Sequence, residues 1–301
     1  MSGNPAMSAP VIETPFQRFL AEMLEDRIAV GALVVFAALV VVAVLAPFIT
    51  PQNPYDLAQV DVLDARLPPG TKASEGFTLL LGSDGTGRDL YSAILYGLRI
   101  SLSVGALSGV IAMVVGASIG LVAAYVGGWV EATIMRIVDL QLSLPAVLVA
   151  LILVAVLGKG VDKIILALVI VQWAYYARTV RASALVERRK EYVDAAVCLD
   201  LSQSRILFRH ILPNCLAPLI VVGTVQTAHA IALEATLSFL GVGLPQTEPS
   251  LGVLIANGFQ YMLSGRYWIS FFPGIALLLT IVSINLVGDR LRDVLNPRLK
   301  R

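Results

Sequence analysis

Few side chains in this sequence have types and spacings suited to chemistry. The run Gly82-Ser83-Asp84-Gly85-Thr86-Gly87-Arg88 invites comparison with a phosphate-cradling loop, since backbone N–H groups at flexible glycines can surround an anion. It lacks the order of a nucleotide-binding loop, in which a Gly-Lys pair and a hydroxyl residue close the turn. The only Gly-Lys pair, Gly158-Lys159, is followed by Gly160, so no ATP-binding loop of that type exists in this chain. The glycine run reads instead as a tight turn into an interfacial helix, with Arg88 and Asp89 fixing its geometry. Cys198 and Cys215 match no metal-site spacing and read as unpaired structural thiols. What remains is a scatter of polar residues in apolar surroundings: Asp139, Gln172, Gln226, His229 and Glu234.

Their surroundings define the problem. The chain is 57% hydrophobic and 14% charged, with a mean hydropathy of +0.81. Soluble domains carry about 25% charged residues, so this chain cannot coat a water-facing surface, and its apolar solvent must be membrane lipid. A net charge of +1 gives no reason to expect a nucleic-acid partner. A helix needs about 20 mostly apolar residues to cross a bilayer. Ile28–Phe48, Ile100–Tyr125, Ile134–Leu157, Leu216–Leu240 and Ile269–Val287 qualify, and Ile164–Tyr176, which is shorter but which Ala177 can extend, is read as the fourth of six spans. The first is too long for a signal-peptide core, which runs about 7–15 residues, and reads as an uncleaved span.

The expectation is an all-α membrane protein of six transmembrane helices, which places both termini on one side. Arg18, Arg27, Arg136, Arg178, Arg181, Arg188, Arg189, Lys190, Arg205, Arg209, Arg290 and Arg292 fall in one alternating set of polar segments, with Arg298, Lys300 and Arg301. The smaller set includes Arg66, Lys72, Arg88, Arg99, Lys159, Lys163 and Arg266. The richer set is expected to be cytoplasmic. The domains that follow are a cytoplasmic segment over 1–27, a first span over 28–48, an extracytoplasmic insertion over 49–99, a core over 100–288 and a cytoplasmic tail over 289–301. Gly105–Gly109 and Gly116–Gly120 on the second span have small-xxx-small spacing, which serves packing within a subunit or between subunits.

Ionisable groups within lipid-embedded helices usually face a protein interior or a water-filled cavity. Asp139 lies close to Arg136, so a structural ion pair is favoured there. Gln226, His229 and Ala230 fall on one face of the fifth span, which can line a path. Glu234 sits toward that span's far end, placed either to meet a passing solute or to hydrogen-bond a neighbouring helix.

The segment over 178–213 is long for a connection in so apolar a chain. Between Glu187 and Pro213 it has no Pro and no Gly. Tyr192, Val193, Ala196 and Leu199 share one helical face, and Glu191 and Asp194 another. Ser202 is placed to cap a second helix, with Pro213 ending it before the fifth span. A short amphipathic helix of this kind either lies in the membrane interface or docks into a groove on a partner.

Asp194-Ala195-Ala196, followed at fixed spacing by Leu212-Pro213, resembles the EAA loop of ABC importer permeases. In that family the loop forms a coupling helix that fits a cleft on the ATPase subunit. The resemblance implies ATPase-coupling roles for Glu191, Tyr192, Asp194, Ala195, Ala196, Leu199, Asp200, Leu212 and Pro213. The family usually has Gly where this chain has Asp200, a residue that tolerates the left-handed backbone better than most. Leu81–Asp89 with Tyr96–Leu102, Glu234–Gly241, and Asn285–Asp293 running on to Asn296-Pro297 resemble the branch that imports peptides, nickel and related solutes, most like the second of its two permeases.

That likeness implies a heterodimer with a related permease, two ABC ATPases that use ATP and Mg²⁺, and an extracytoplasmic substrate-binding protein. It implies a multi-pass protein of the bacterial cytoplasmic membrane that binds no cofactor and catalyses no covalent chemistry. Gln226, His229 and Glu234 become pathway candidates. Di- or oligopeptides are the expected cargo, with nickel chelates and glutathione left open. An ion-gradient-driven secondary transporter is the main alternative. It would usually show an inverted repeat and midplane carboxylates, whereas Asp139 and Glu234 lie near opposite ends. A membrane scaffold with no pathway is the other.

Overall fold

In lipid the backbone has no water to bond, so long apolar segments fold as helices that satisfy their own N–H and C=O groups. A computed structural model describes residues 14–295 and shows this outcome: among the described residues there are helices, turns and two isolated bridges, Lys72–Thr78 and Ser83–Asp89, but no strand. The sequence-terminal Asn296-Pro297, Arg298, Lys300 and Arg301, and the first part of the N-terminal segment, lie outside the described residues.

Thr14 and Gln17 form a reciprocal capping box that starts α1 (Pro15–Glu25). Asp26 caps α2 (Arg27–Ile49) through the Ile28 N–H at 2.8 Å. An insertion over 50–89 leads to α3 (Leu90–Val126), followed by α4 (Gly128–Ser143), α5 (Ala146–Leu157) and α6 (Val161–Glu187). After α7 (Glu191–Cys198), a helical stretch runs from α8 (Gln203–Arg205) through a wide turn at Ile206–Ile211 and a tight one at Leu212–Cys215 into α9 (Leu216–Phe239). Then come α10 (Leu251–Phe259) and α11 (Trp268–Leu295).

Five helical stretches are long and apolar enough to cross a membrane: α2, α3, α6, Gln203–Phe239 and α11. The third expected span is not straight. It breaks into α4 and α5, bent by 94°. The cause is Pro145: Leu144 before it is forced extended (φ −91°, ψ 140°) and the helix stops there. The pair still passes from one end of the bundle to the other. Near its start Glu131 meets Arg181, whereas Ala150 and Val154 on α5 pack with Ile164, Leu237 and Leu244 at the opposite end. Counting the pair as one broken span gives six.

Other boundaries also move. Asp89 starts α3 at Leu90, so the expected interfacial helix is the first part of the span itself, with Leu90, Ala93, Ile94 and Leu98 packed on Leu251, Leu254, Trp268 and Ile269. Helix α6 continues to Glu187 and takes Arg178–Glu187 out of the loop. Pro213 does not end the helix that precedes it. Without an N–H it cannot bond the Arg209 carbonyl, and the backbone widens over Ile206–Ile211 and tightens over Leu212–Cys215 instead of breaking.

Helix α3 is the central element and packs on α2, α4, α6, α9, α10 and α11. A Cβ on Gly116 would lie 2.3 Å from the Trp173 carbonyl oxygen, and one on Gly120 2.3 Å from that of Ala177. These glycines are therefore spent on close approach to α6 inside the subunit. Gly105 does the same against Ile231 of α9.

Candidate functional site

The loop between α6 and α9 folds by local rules. Lys190 has extended backbone and precedes the first turn of α7, where Glu191 and Asp194 supply negative charge near the helix N-terminus. Val193 and Ala196 are buried in a cluster with Ala184, Ile206, Leu207 and Ile211. The helix ends in a Schellman motif: the Leu201 N–H bonds the Ala196 carbonyl at 3.2 Å and the Asp200 N–H bonds that of Val197 at 3.0 Å. Asp200 occupies the left-handed position this motif requires, at φ 53°. Leu199 lies past the last helical turn and points outward, 74% exposed. The expected apolar face therefore splits, with Val193 and Ala196 inward, Leu199 outward and Tyr192 half-exposed at the edge.

Tyr192 joins three elements. Its hydroxyl donates to Glu187 Oε2 on α6 at 2.8 Å and accepts from Asn214 Nδ2, in the tight turn before α9, at 3.2 Å. Asn214 also donates to the His210 carbonyl at 2.8 Å. Lys190 Nζ pairs with Glu187 Oε1 at 2.6 Å. Burial first, and then the Glu187 carboxylate, push the Tyr192 hydroxyl up to about 12. Away from this joint Glu191, Asp194, Ala195, Val197, Leu199 and Asp200 are exposed, and so is Pro213, whereas Leu212 is half-buried. The carboxylates of Glu191, Asp194 and Asp200, with Val197 and Leu199, form a surface suited to a groove with a basic rim and an apolar floor.

Arginines fasten the same end of the bundle. Arg181 Nε donates to Glu131 on α4 at 2.7 Å. Arg178 pairs with Asp139, so the partner of Asp139 is on α6 and not Arg136 on its own helix. Arg188 donates to the Ala124 carbonyl at 3.0 Å and lies 5.5 Å from the Tyr125 ring, covering the C-terminal end of α3. Arg290 on α11 donates to the Glu22 carbonyl of α1.

The expected polar face of α9 is not one face. Gln226 and Ala230 are buried, and the Gln226 carbonyl accepts from Gln172 Nε2 at 2.9 Å. His229 is exposed. Glu234 is fully buried and accepts from Ser101 Oγ on α3 at 3.0 Å and from Ser238 Oγ at 2.8 Å. In this subunit it clasps α3 to α9.

The glycine run over 82–88 is filled from within. Asp84 Oδ1 accepts from Thr86 N and Thr86 Oγ1 at 2.8 Å and from Arg88 N at 3.0 Å, taking the place an anion would hold. Arg88 Nη1 reaches the Gln246 carbonyl at 3.1 Å, and Asp89 caps α3 through the Ser92 N–H at 2.9 Å. Burial holds the Asp89 carboxyl above the usual carboxylate range against the hydrogen bonds from Ser92. Among the described residues no group of His, Cys, Asp and Glu is placed to hold a metal ion.

Two features escape a reading of the sequence. One is the Glu187–Tyr192–Asn214 joint, whose members belong to different elements. The other is a cavity of about 260 Å³ lined by Tyr55, Tyr96, Arg99, Ile100, Ser103 and Val161. Its signal was present, since Tyr96, Arg99, Ile100 and Ser103 follow one stripe of α3.

Residues 116–301 match the family of binding-protein-dependent transport system inner membrane components, and residues 14–69 match the N-terminal TM domain of oligopeptide transport permease C. The dipeptide transport system permease protein DppC of Escherichia coli is 41% identical over 298 residues, covering 99% of this chain and 98% of that protein. A putative peptide transport system permease protein of Brucella suis is 44% identical over 271 residues, 89% of this chain and 87% of its own length. A di/tripeptide transport system permease protein of Pseudomonas aeruginosa is 35% identical over 299 residues, 99% of this chain and 96% of its own length. Among solved structures, a chain of the inward-facing MetNI methionine ABC transporter superposes with a TM-score of 0.55 at 19% identity, covering 68% of this chain and 96% of that one.

Proposed function

The chain belongs to the binding-protein-dependent transport system inner membrane components, and we propose that it is one of two permease subunits of an ATP-driven importer of short peptides. The observation that carries this reading is the near full-length similarity to dipeptide and di/tripeptide permeases. The displayed helix α7, in a chain with no nucleotide-binding loop of the Gly-Lys type, agrees with it.

In this reading the partners are a second, related permease, two ATPases that use ATP and Mg²⁺, and an extracytoplasmic binding protein that delivers the cargo. The chain sits in the bacterial cytoplasmic membrane with both termini inside. The clustering of Arg178, Arg181, Arg188 and Arg290 at the α7 end supports that orientation. The insertion over 50–89 then lies outside.

The mechanism is alternating access. The outward face of α7, with Glu191, Asp194, Leu199 and Asp200, seats in the ATPase. Closure of the ATPase pair displaces α7, and Tyr192 passes the displacement to α6 through Glu187 and to α9 through Asn214. Val193 and Ala196 supply the apolar contact that makes the joint stiff. Ala195 keeps the docking surface shallow, and Leu212 and Pro213 begin the α9 side of the joint. Of the three pathway candidates we assign His229 to the pathway; its exposure supports this reading, whereas Gln226 and Glu234 are buried inside the subunit.

The test is purification of the tagged chain in mild detergent with ATPase activity measured in the eluate. A second permease and ATPase subunits should co-purify, and both the ATPases and the activity should be lost when Val193→Asp breaks the seat of α7. A chain that purifies alone, without ATPase activity, under conditions that preserve known complexes of this kind would favour an ion-coupled transporter.

A further inference from the structure

The cavity beside Arg99 is built from three parts of the chain. Tyr55 comes from the insertion, Tyr96, Arg99, Ile100 and Ser103 from one face of α3, and Val161 from the first turn of α6. Tyr55 and Tyr96 meet edge to face, with ring centroids 5.3 Å apart, and form one wall. Tyr96 is almost fully buried, so the wall is fixed from behind. Ile100 and Val161 make the rest apolar. Arg99 and Ser103 are exposed and add a guanidinium and a hydroxyl one helical turn apart.

Arg99 has no ion pair among the described residues. Elsewhere in the chain arginines are spent on fastening helices: Arg178 on Asp139, Arg181 on Glu131, Arg188 on the end of α3, Arg290 on α1. The Glu248 carboxylate acts on Tyr55 from outside the lining, against Arg99 within it. Of the residues that line the cavity, Arg99 alone carries a charge. A guanidinium with its fork unused is a planar receptor for a carboxylate. At about 260 Å³ the cavity approaches the lower end of small-ligand pockets, roughly 300 Å³, and it suits one residue of a ligand rather than a whole drug-sized molecule.

We propose that this cavity is a subsite for the C-terminal residue of the transported peptide, with Arg99 and Ser103 binding its carboxylate and Tyr55, Tyr96, Ile100 and Val161 enclosing its side chain. The occupant has an anionic end and an apolar body within one residue's reach, and a peptide C-terminus has both. The insertion thereby gains a role in recognition through Tyr55. This inference rests on the importer reading given above.

The test uses the assembled complex, with its ATPases and binding protein, in vesicles. The probe is a dipeptide whose C-terminal residue carries a photoreactive diazirine side chain. Uptake and cross-linking are measured for the native chain, Arg99→Gln and Arg99→Lys, in zwitterionic vesicles and in vesicles containing anionic lipid. In the native complex the label should map to Tyr55, Tyr96 or Ile100. Arg99→Gln should lower both that label and peptide uptake by about tenfold or more, the loss expected for a charge-assisted hydrogen bond, and Arg99→Lys should retain part of both. ATPase stimulation by the unliganded binding protein should not change. Labelling elsewhere, or equal labelling in Arg99→Gln, would overturn the assignment. An uptake defect seen only with anionic lipid would assign Arg99 to a lipid headgroup instead. Failure of the native complex to take up any peptide would be a separate result, against the importer reading itself.

Discussion

Replacing Tyr192 with phenylalanine removes one hydroxyl from the joint between α7 and its two flanking spans and keeps the ring. The hydroxyl makes a 2.8 Å bond to the Glu187 carboxylate and takes a 3.2 Å bond from Asn214. A hydrogen bond to a charged group contributes about 1.5–3 kcal/mol when well enclosed and an ordinary one about 1 kcal/mol. Tyr192 is 37% exposed and Glu187 keeps Lys190 as a partner, so the lower value applies. The docked position of α7 should weaken by about 1 kcal/mol, roughly fivefold in its opening equilibrium. Amide hydrogen exchange over Glu191–Cys198 reads that directly, since exchange through local opening should quicken about fivefold there and stay unchanged in α3. In the assembled complex the peptide imported per ATP hydrolysed should fall, because part of each ATPase stroke would move α7 without moving α6 and α9. Asn214→Ala should act on the same joint, and the double variant should lose less than the sum of the two. Unchanged exchange and unchanged coupling in Tyr192→Phe would refute the reasoning, and would leave the packing of Val193 and Ala196 as all that holds the helix.

Asp200→Gly should stabilise the end of α7 by somewhat under about 1 kcal/mol, since a left-handed backbone at φ 53° costs an L-residue about 1–2 kcal/mol and Asp less than most; Asp200→Val should destabilise it, and thermal unfolding of the detergent-solubilised protein checks both. Gly120→Leu should abolish recovery of monodisperse protein on size-exclusion chromatography, because even its Cβ would lie 2.3 Å from a backbone oxygen of α6, whereas Gly31→Ala, with nothing within 4 Å, should behave as the native chain. Glu234→Gln should keep the clasp with Ser101 and Ser238 and fold normally, while Glu234→Leu should lose about 1–3 kcal/mol by stranding buried hydroxyls, measured as a drop in thermal midpoint. In a background without Cys198 and Cys215, a cysteine at His229 should react with a water-soluble maleimide during turnover and one at Gln226 should not; equal protection of both would remove His229 from the pathway.

What the sequence shows and hides follows from which contacts are local. The apolar runs were legible because lipid imposes a length and a composition on each crossing helix. The bend at Pro145 was hidden, since hydropathy sums residues along a line and a proline inside an apolar run leaves the sum almost unchanged. Asp139 was given the wrong partner for a related reason: Arg136 is its neighbour in the chain, but Arg178 is its neighbour once α4 packs on α6. Glu234 was readable as an acid in a membrane, yet two serines that enclose it lie on separate turns and helices. His229 was grouped with Gln226 by spacing, and only the packing of α9 on α3 and α6 shows that one points in and the other out. The left-handed turn at Asp200 was suggested by the resemblance, in which Gly usually stands there, and Asp tolerates that conformation better than most residues. Leu199 was not legible, because its direction is set by the turn after it.

The right angle between α4 and α5 restricts how force can travel through this subunit. A straight helix pulled at one end can slide along its own axis like a piston. A helix folded through 94° at Leu144-Pro145 cannot, because axial motion of Gly128–Ser143 would drive Ala146–Leu157 sideways into Ile164, Leu237 and Leu244. The motion left to it is that of a crank, turning about the corner, with the Glu131–Arg181 contact as its handle. In the importer we propose, a stroke received at the arginine-rich end would emerge at the far end as a lateral sweep, with the corner at Leu144-Pro145 setting its direction.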